Sequence, residues 1–294
     1  MRSRCTPVSP TCSLRTLTVL ALPGVIRWGF SGWSSAPLHV TAMKNINLRL
    51  YLVTDENCMP PGRDLFHAVE EALQAGVTLV QYREKNGLGR SMLEKAIALR
   101  RLCHRYNVPL LVNDRLDIAL LSGADGVHLG QDDIPVAEAR RLADLFAVNN
   151  AAACQPDYET VTERASVHRM EAATTSQTAK PVFQTEKHFI IGATAHNVQE
   201  ALAAEAAGAD YLGCGAVFAT NTKKDTVPLG LEGLRAIRKA VHIPIVGIAG
   251  ITPNNYQQVL AAGADGAAVV SGILGAEIIT ETVVAFLTGR YMTR

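Results

Sequence analysis

From Leu48 onward, short and nearly uninterrupted apolar runs alternate with longer segments of helical period. The runs predict strands from Leu50 to Thr54, Thr78 to Tyr82, Leu110 to Asn113, Gly126 to Gly130, Phe189 to Thr194, Tyr211 to Val217, Ile245 to Ala249 and Gly266 to Ser271. Successive side chains point to opposite faces of a strand, so runs that are apolar on both faces suit parallel strands buried on both sides. The helical segments carry start signals. Asn197, followed three residues later by Glu200, forms a capping box, and Thr252-Pro253 places a cap residue ahead of a proline at the first helical position.

A small motif recurs before every second strand: Ala75-Gly76-Val77-Thr78, Ser122-Gly123-Ala124-Asp125, Ala207-Gly208-Ala209-Asp210 and Ala262-Gly263-Ala264-Asp265. Glycine just past a helix end adopts the left-handed turn without steric cost and feeds the chain into the next strand. Strands three and seven are preceded instead by Val108-Pro109 and Ile243-Pro244. A two-strand unit repeated four times predicts a single-domain α/β (β/α)8 barrel, and Met43 to Arg294 spans 252 residues, close to the roughly 250 usual for that fold. An open doubly wound sheet is the alternative and accounts for the repeat less well.

Two segments depart from the rhythm. Residues 148–187, polar and rich in Ala, Thr and Gln, separate a helix expected from Val136 to Phe146 from the strand at Phe189, where a connection usually takes about 2–6 residues. This insertion is expected at the N-terminal face of the barrel, opposite the loops that carry catalysis. Residues 1–42 hold Arg2, Arg4, Arg15 and Arg27 and no Asp or Glu. That composition fits an organelle-targeting segment, the basic residues ahead of the apolar run Leu17 to Leu22 also resemble a secretory signal, and Met43 before the first strand fits a later start, leaving the segment without a role.

With 28 basic and 27 acidic residues and a net charge of +1, the chain gives no reason to expect nucleic acid or an anionic membrane as partner. No apolar run approaches the roughly 18 residues of a membrane span. Cys5, Cys12, Cys58, Cys103, Cys154 and Cys214 are scattered with no CxxC pair, which predicts free thiols in a reducing, cytoplasmic setting rather than a zinc site. Sequence leaves room for a homo-oligomer without specifying one.

The candidate chemistry lies where the strands end, the catalytic rim of such a barrel. Strand two ends in Gln81-Tyr82-Arg83-Glu84-Lys85, strand three in Asn113-Asp114-Arg115, and strand four in His128 to Asp133. Strand five ends in Thr194-Ala195-His196, and strand six runs into Thr220-Asn221-Thr222-Lys223. Asp114 and Asp133, hard oxygen ligands on adjacent strand ends, suit magnesium, which takes one or two carboxylates with substrate phosphates and water. Arg83, Lys85 and Lys223 supply positive charge for a diphosphate. Gly250, Val270 and Ser271, in the loops after strands seven and eight, mark the usual phosphate site of this barrel. Two phosphate sites on one rim predict two phosphorylated small-molecule substrates. His128, within an apolar strand, reads as a hydrogen-bonded core histidine rather than a ligand.

Tyr51 to Asp55, Gln81 to Lys85, Val112 to Arg115, Gly126 to Gln131, Thr220 to Lys223 and Val270-Ser271 together resemble the thiamine phosphate synthase family, over about Leu48 to Leu274 apart from the insertion. The resemblance implies condensation of a hydroxymethylpyrimidine diphosphate with a thiazole phosphate, or its carboxylated form, to thiamine monophosphate and diphosphate. It implies that Gln81, Tyr82, Arg83, Glu84, Lys85, Asn113, Thr194 and Lys223 contact the pyrimidine diphosphate, with Arg83, Lys85 and Lys223 acting in catalysis. Asp114 and Asp133 would hold Mg2+, and Thr220, Asn221, Thr222, Gly250, Val270 and Ser271 the thiazole phosphate. The family usually carries serine at Thr194 and glycine at Ala249. A thiazole tautomerase on the same barrel is the alternative, or a non-catalytic binder of the same ligands. Retention of Asp114, Asp133 and Lys223 argues against the tautomerase.

Overall fold

All eight apolar runs form strands in a computed structural model that describes residues 46–152, 188–220 and 228–290. In chain order the elements are β1 (Leu50–Val53), α1 (Leu65–Ala75), β2 (Leu79–Tyr82), α2 (Gly89–Arg105), β3 (Leu110–Asn113), α3 (Leu116–Ser122), β4 (Gly126–Leu129) and α4 (Val136–Ala152). They continue as β5 (Ile190–Ala195), α5 (Val198–Ala206), β6 (Tyr211–Cys214), α6 (Gly230–Ala240), β7 (Ile245–Ile248), α7 (Tyr256–Ala261), β8 (Gly266–Val269), α8 (Ser271–Leu274) and α9 (Ile279–Thr288). Each strand pairs in parallel with the next, and Leu50 of β1 lies in register with Ala267 of β8. The sheet therefore closes into a barrel, and the open doubly wound arrangement is excluded.

Closure divides the apolar side chains between two layers. Tyr51, Val53, Leu79, Leu111, Tyr211, Val246 and Ala268 fill the interior. The alternate positions, among them Leu50, Leu52, Val80, Tyr82, Val112, Val127 and Leu129, pack outward against helix residues such as Val69, Leu99 and Leu102.

The repeated motif does more than turn the chain. Its glycines Gly76, Gly123, Gly208 and Gly263 all take positive φ, as a left-handed turn requires. Its fourth residue then reaches across to the preceding strand. Asp125 accepts from the backbone N–H of Leu110 (2.8 Å), Asp210 from Ile191 (2.7 Å) and Asp265 from Ile245 (2.9 Å). Thr78 plays the same part by accepting from Leu50 (3.0 Å). Four side-chain clamps thus join β1–β2, β3–β4, β5–β6 and β7–β8 at the end opposite the candidate site. The three carboxylates have basic neighbours: His104 at Asp125, Arg140 and His188 at Asp210, and Arg238 at Asp265.

Some boundaries differ from those expected. Helix α4 runs on to Ala152, because nothing between Ala147 and Ala152 breaks a helix. Residues 148–152 of the expected insertion are therefore helical, and 153–187 lie outside the described residues, as does the extension 1–42. The capping box at Asn197 forms, with Glu200 N–H donating to Asn197 Oδ1 at 2.9 Å, but the Glu200 carboxylate turns to the backbone N–H of His196. Thr252-Pro253 does not open a helix. It lies in a turn, and α7 begins at Tyr256, because the Asn255 side chain is drawn back to Thr252 N–H (2.7 Å) and Gly250 O (2.9 Å). Among the described residues no helix is long and apolar enough to cross a membrane, and Cys58, Cys103 and Cys214 are free thiols.

Candidate active site

Alternation along β2 decides which of its terminal residues can face a ligand. Gln81 points into the barrel, where its Nε2 donates to the Tyr51 hydroxyl. Tyr82 points the other way and is buried in the helix-facing layer, which takes its side chain out of the expected set of ligand contacts. The next residue is held by β1: Arg83 N–H donates to Thr54 Oγ1 (2.9 Å), and its guanidinium Nη1 to Asp55 Oδ2 (2.5 Å). Both side chains are largely shielded, so the guanidinium is oriented before any ligand arrives. Glu84 is spent elsewhere, accepting from Lys95 of α2 at 3.1 Å, while Lys95 also bridges to Glu56 at 2.5 Å. Glu84 therefore leaves Arg83 and the exposed Lys85 unneutralised by it.

Asp114 and Asp133 lie side by side. Asp114 has φ 63°, within a tight turn closed by Arg115 N–H to Asn113 O (2.7 Å), and its own N–H donates to His128 O (2.8 Å). Aspartate tolerates this left-handed geometry better than most residues, and the turn brings its carboxyl within hydrogen-bonding reach of Asp133. Asp133 is fixed in turn by Gly130 N–H at 2.6 Å. Burial, followed by the hydrogen bond and charge of Asp133, pushes Asp114 up to about 6, and Lys85 and Arg83 pull the other way. Those cations therefore share an electrostatic field with the pair. Among the described residues no group of three His, Cys, Asp or Glu side chains gathers as a metal cage.

His128 and Thr194 stand in the interior, with Nε2 of His128 3.1 Å from Thr194 Oγ1 and Nδ1 2.8 Å from the Tyr211 hydroxyl. Burial pushes the imidazole down to about 4, so it is neutral, as a hydrogen-bonded core histidine should be. Asn113, half-buried, ends β3 in register with His128.

On the far side of the rim, Ala249 and Gly250 both have positive φ, 79° and 64°. Gly250 is obligatory by space as well, since a Cβ there would strike Ala219 O and lie 2.7 Å from Phe218 Cβ. Phe218 N–H reaches Ala249 O at 3.2 Å, joining this loop to the one after β6. Val270 is the N-terminal cap of the short helix α8, accepting at its carbonyl from the N–H groups of Ile273 (3.2 Å) and Leu274 (3.1 Å), in the loop after β8 where this fold usually holds a phosphate. Thr220 is the last described residue after β6, and Asn221, Thr222 and Lys223 lie outside the described residues. Ala249 occupies a conformation suited to glycine, so Ala249→Gly is expected to stabilise the protein by roughly 1 kcal/mol. Thermal unfolding checks this; an unchanged or lower Tm would contradict the strain.

Asp55 and Lys95 were not singled out in the sequence as site residues. Asp55 lies two residues past β1 on the strand-end rim and was legible from that position, whereas Lys95 acts only because α2 packs beside both loops.

A family model described as thiamine monophosphate synthase matches residues 50–151 and 164–273. The thiamine-phosphate synthase of Chloroflexus aurantiacus is 44% identical over 236 residues, covering 80% of this chain and 89% of the relative. That of Pyrococcus horikoshii is 38% identical over 78% of this chain and 88% of the relative. Among solved structures, thiamine phosphate pyrophosphorylase from Pyrococcus furiosus superposes with a TM-score of 0.63 at 34% identity, covering 83% of this chain and 96% of that one. With a match of this extent over the barrel and its rim, the chain belongs to the thiamine monophosphate synthase family.

Proposed function

We propose that this protein joins 4-amino-2-methyl-5-hydroxymethylpyrimidine diphosphate to 4-methyl-5-(2-hydroxyethyl)thiazole phosphate, giving thiamine monophosphate and diphosphate, or to its carboxylated form, which also loses carbon dioxide and takes up a proton at the vacated ring carbon. The observation that carries this reading is the gathering of Asp114 and Asp133 with Arg83 and Lys85 on one side of the rim of a member of this family, opposite the Gly250 loop and α8. On this reading residues 43–294 form the catalytic domain.

The residues fit magnesium. A carboxyl raised well above its ordinary range by burial, and further by the hydrogen bond and charge of a second carboxylate, belongs to a pair that a divalent cation relieves, and two carboxylates with substrate phosphate suffice for this ion. Bound by Asp114 and Asp133, the ion would neutralise charge on the diphosphate. The protein's own groups do the rest. Arg83, aimed by Asp55, and Lys85 bind the diphosphate, and Lys223 joins them from the loop after β6. Gln81, Asn113 and Thr194 orient the pyrimidine. Gly250, Val270 and Ser271, with Thr220, Asn221 and Thr222, hold the thiazole phosphate.

The pyrimidine methylene C–O bond breaks, and its electron pair leaves with diphosphate, whose developing charge the cations stabilise where it appears. The aminopyrimidine delocalises the methylene cation, and the neutral thiazole nitrogen supplies the lone pair of the new C–N bond. No proton is removed, so no general base is needed, consistent with a neutral His128 engaged by Tyr211 and Thr194. The purified protein incubated with both substrates and Mg2+ is expected to form thiamine monophosphate and diphosphate one for one. Failure to form either product would refute the assignment.

A further inference from the structure

Inside the barrel, hydrogen bonds run in an unbranched line from one side of the candidate pyrimidine site to the other. Gln81 Nε2 donates to the Tyr51 hydroxyl (2.5 Å), the Tyr51 and Tyr211 hydroxyls are 2.8 Å apart, Tyr211 lies 2.8 Å from His128 Nδ1, and His128 Nε2 lies 3.1 Å from Thr194 Oγ1. Tyr51 and Tyr211 are fully buried, and glycine provides the space for two rings of the line: a Cβ on Gly192 would collide with the Tyr211 ring, and one on Gly213 would press on His128 at 3.0 Å.

The line has one self-consistent direction. A phenol has a single proton. Tyr51 already accepts from Gln81, so its proton goes to Tyr211, and the Tyr211 proton goes to His128 Nδ1. A neutral imidazole that accepts at Nδ1 carries its proton on Nε2, which then donates to Thr194 Oγ1. The ends are therefore opposite in kind. Gln81, having spent an N–H, has its carbonyl oxygen for accepting, and Thr194, whose oxygen already accepts, has its O–H for donating.

We propose that Tyr51, Tyr211 and His128 are positioning residues that set the polarity of Gln81 and Thr194, making one an acceptor and the other a donor to match an aminopyrimidine. Such a ring offers an exocyclic amino donor and, across the ring, an unsubstituted nitrogen acceptor. None of the three need touch the ligand. The matching of ends to the ring rests on the proposed function; the direction of the line does not.

Nitrogen-15 NMR of histidine side chains in the whole protein, with His128→Asn used only to assign the signal, tests the direction without substrate. The expected result is a proton on Nε2 and an accepting Nδ1. In Gln81→Glu the ionised carboxylate can only accept, so every link reverses and the proton moves to Nδ1. A wild-type proton on Nδ1, or a folded Gln81→Glu protein that keeps it on Nε2, would overturn the proposal; if the variant does not fold, the wild-type spectrum decides alone. Steady-state kinetics tests the purpose. Tyr211→Phe breaks the line and is expected to raise KM for the pyrimidine diphosphate about tenfold while KM for the thiazole phosphate is unchanged. Equal movement of both constants, or of neither, would overturn the positioning role. A wild-type protein with the expected tautomer but no turnover would refute the functional reading and leave the direction of the line standing.

Discussion

Asp114→Asn is expected to lower turnover by about 10²–10³-fold and to make the protein more stable at neutral pH. Asparagine is the informative substitution because it removes the charge, keeps the shape and tolerates the left-handed turn at φ 63°, whereas alanine would add backbone strain. The stability gain follows from the raised carboxyl. Its ordinary value is 3.8 and its folded value about 6, so the folded state holds a proton that the unfolded state has released between those limits. That contribution is fully present below about pH 4 and lost as pH rises through about 6. Wild type should therefore melt below the variant at pH 8, with the gap narrowing towards pH 4. Mg2+ should raise the wild-type Tm by mass action and do so far less in the variant. Undiminished activity and an unaltered magnesium requirement in folded Asp114→Asn would remove the pair from the mechanism.

Asp210→Ala should cost roughly 3 kcal/mol of stability, because it strips a largely buried Arg140 of its partner and leaves the Ile191 N–H without its carboxylate acceptor. For a protein of this size that is a fall in Tm of about 6–12 °C. Turnover per folded molecule should be largely retained, since the clamp sits at the far end of the strands from the rim. Burial tends to raise the Asp210 carboxyl, but the hydrogen bond from His188 and the charge of Arg140 outweigh it and hold it below the ordinary range. A depressed carboxyl contributes stability above its unfolded pKa and loses it as pH falls through the lower folded value. Wild type should thus lose its advantage over Asp210→Ala only on acidification below about pH 4. Denaturant unfolding at pH 7 and in acid measures both effects, and equal stability at pH 7 would rule out the clamp.

The barrel was legible because its signals are local. Uninterrupted apolar runs and a glycine after a helix end act within a few residues, and all eight strands follow from them. The carboxylate pair was legible for a related reason, since strand ends in a closed parallel barrel converge on one rim. Side-chain direction and tertiary pairing were less so. Tyr82 and Glu84 lie in the same charged strand end as Arg83, yet one faces the helices and the other meets Lys95, whose position depends on how α2 packs. The Gly-Ala-Asp repeat was read as a turn, because nothing in the sequence says that its aspartate reaches the strand before it.

That reach gives the barrel a grain. Each clamp joins an odd strand to the even strand that follows, so the ring consists of four stapled pairs meeting at unstapled seams. One seam falls between β4 and β5, where the chain makes its longest excursion. A break in the backbone there severs none of the staples, and each half-barrel retains both of its own. The seam is thus the natural place at which to divide the protein into two complementing fragments, or to move its ends.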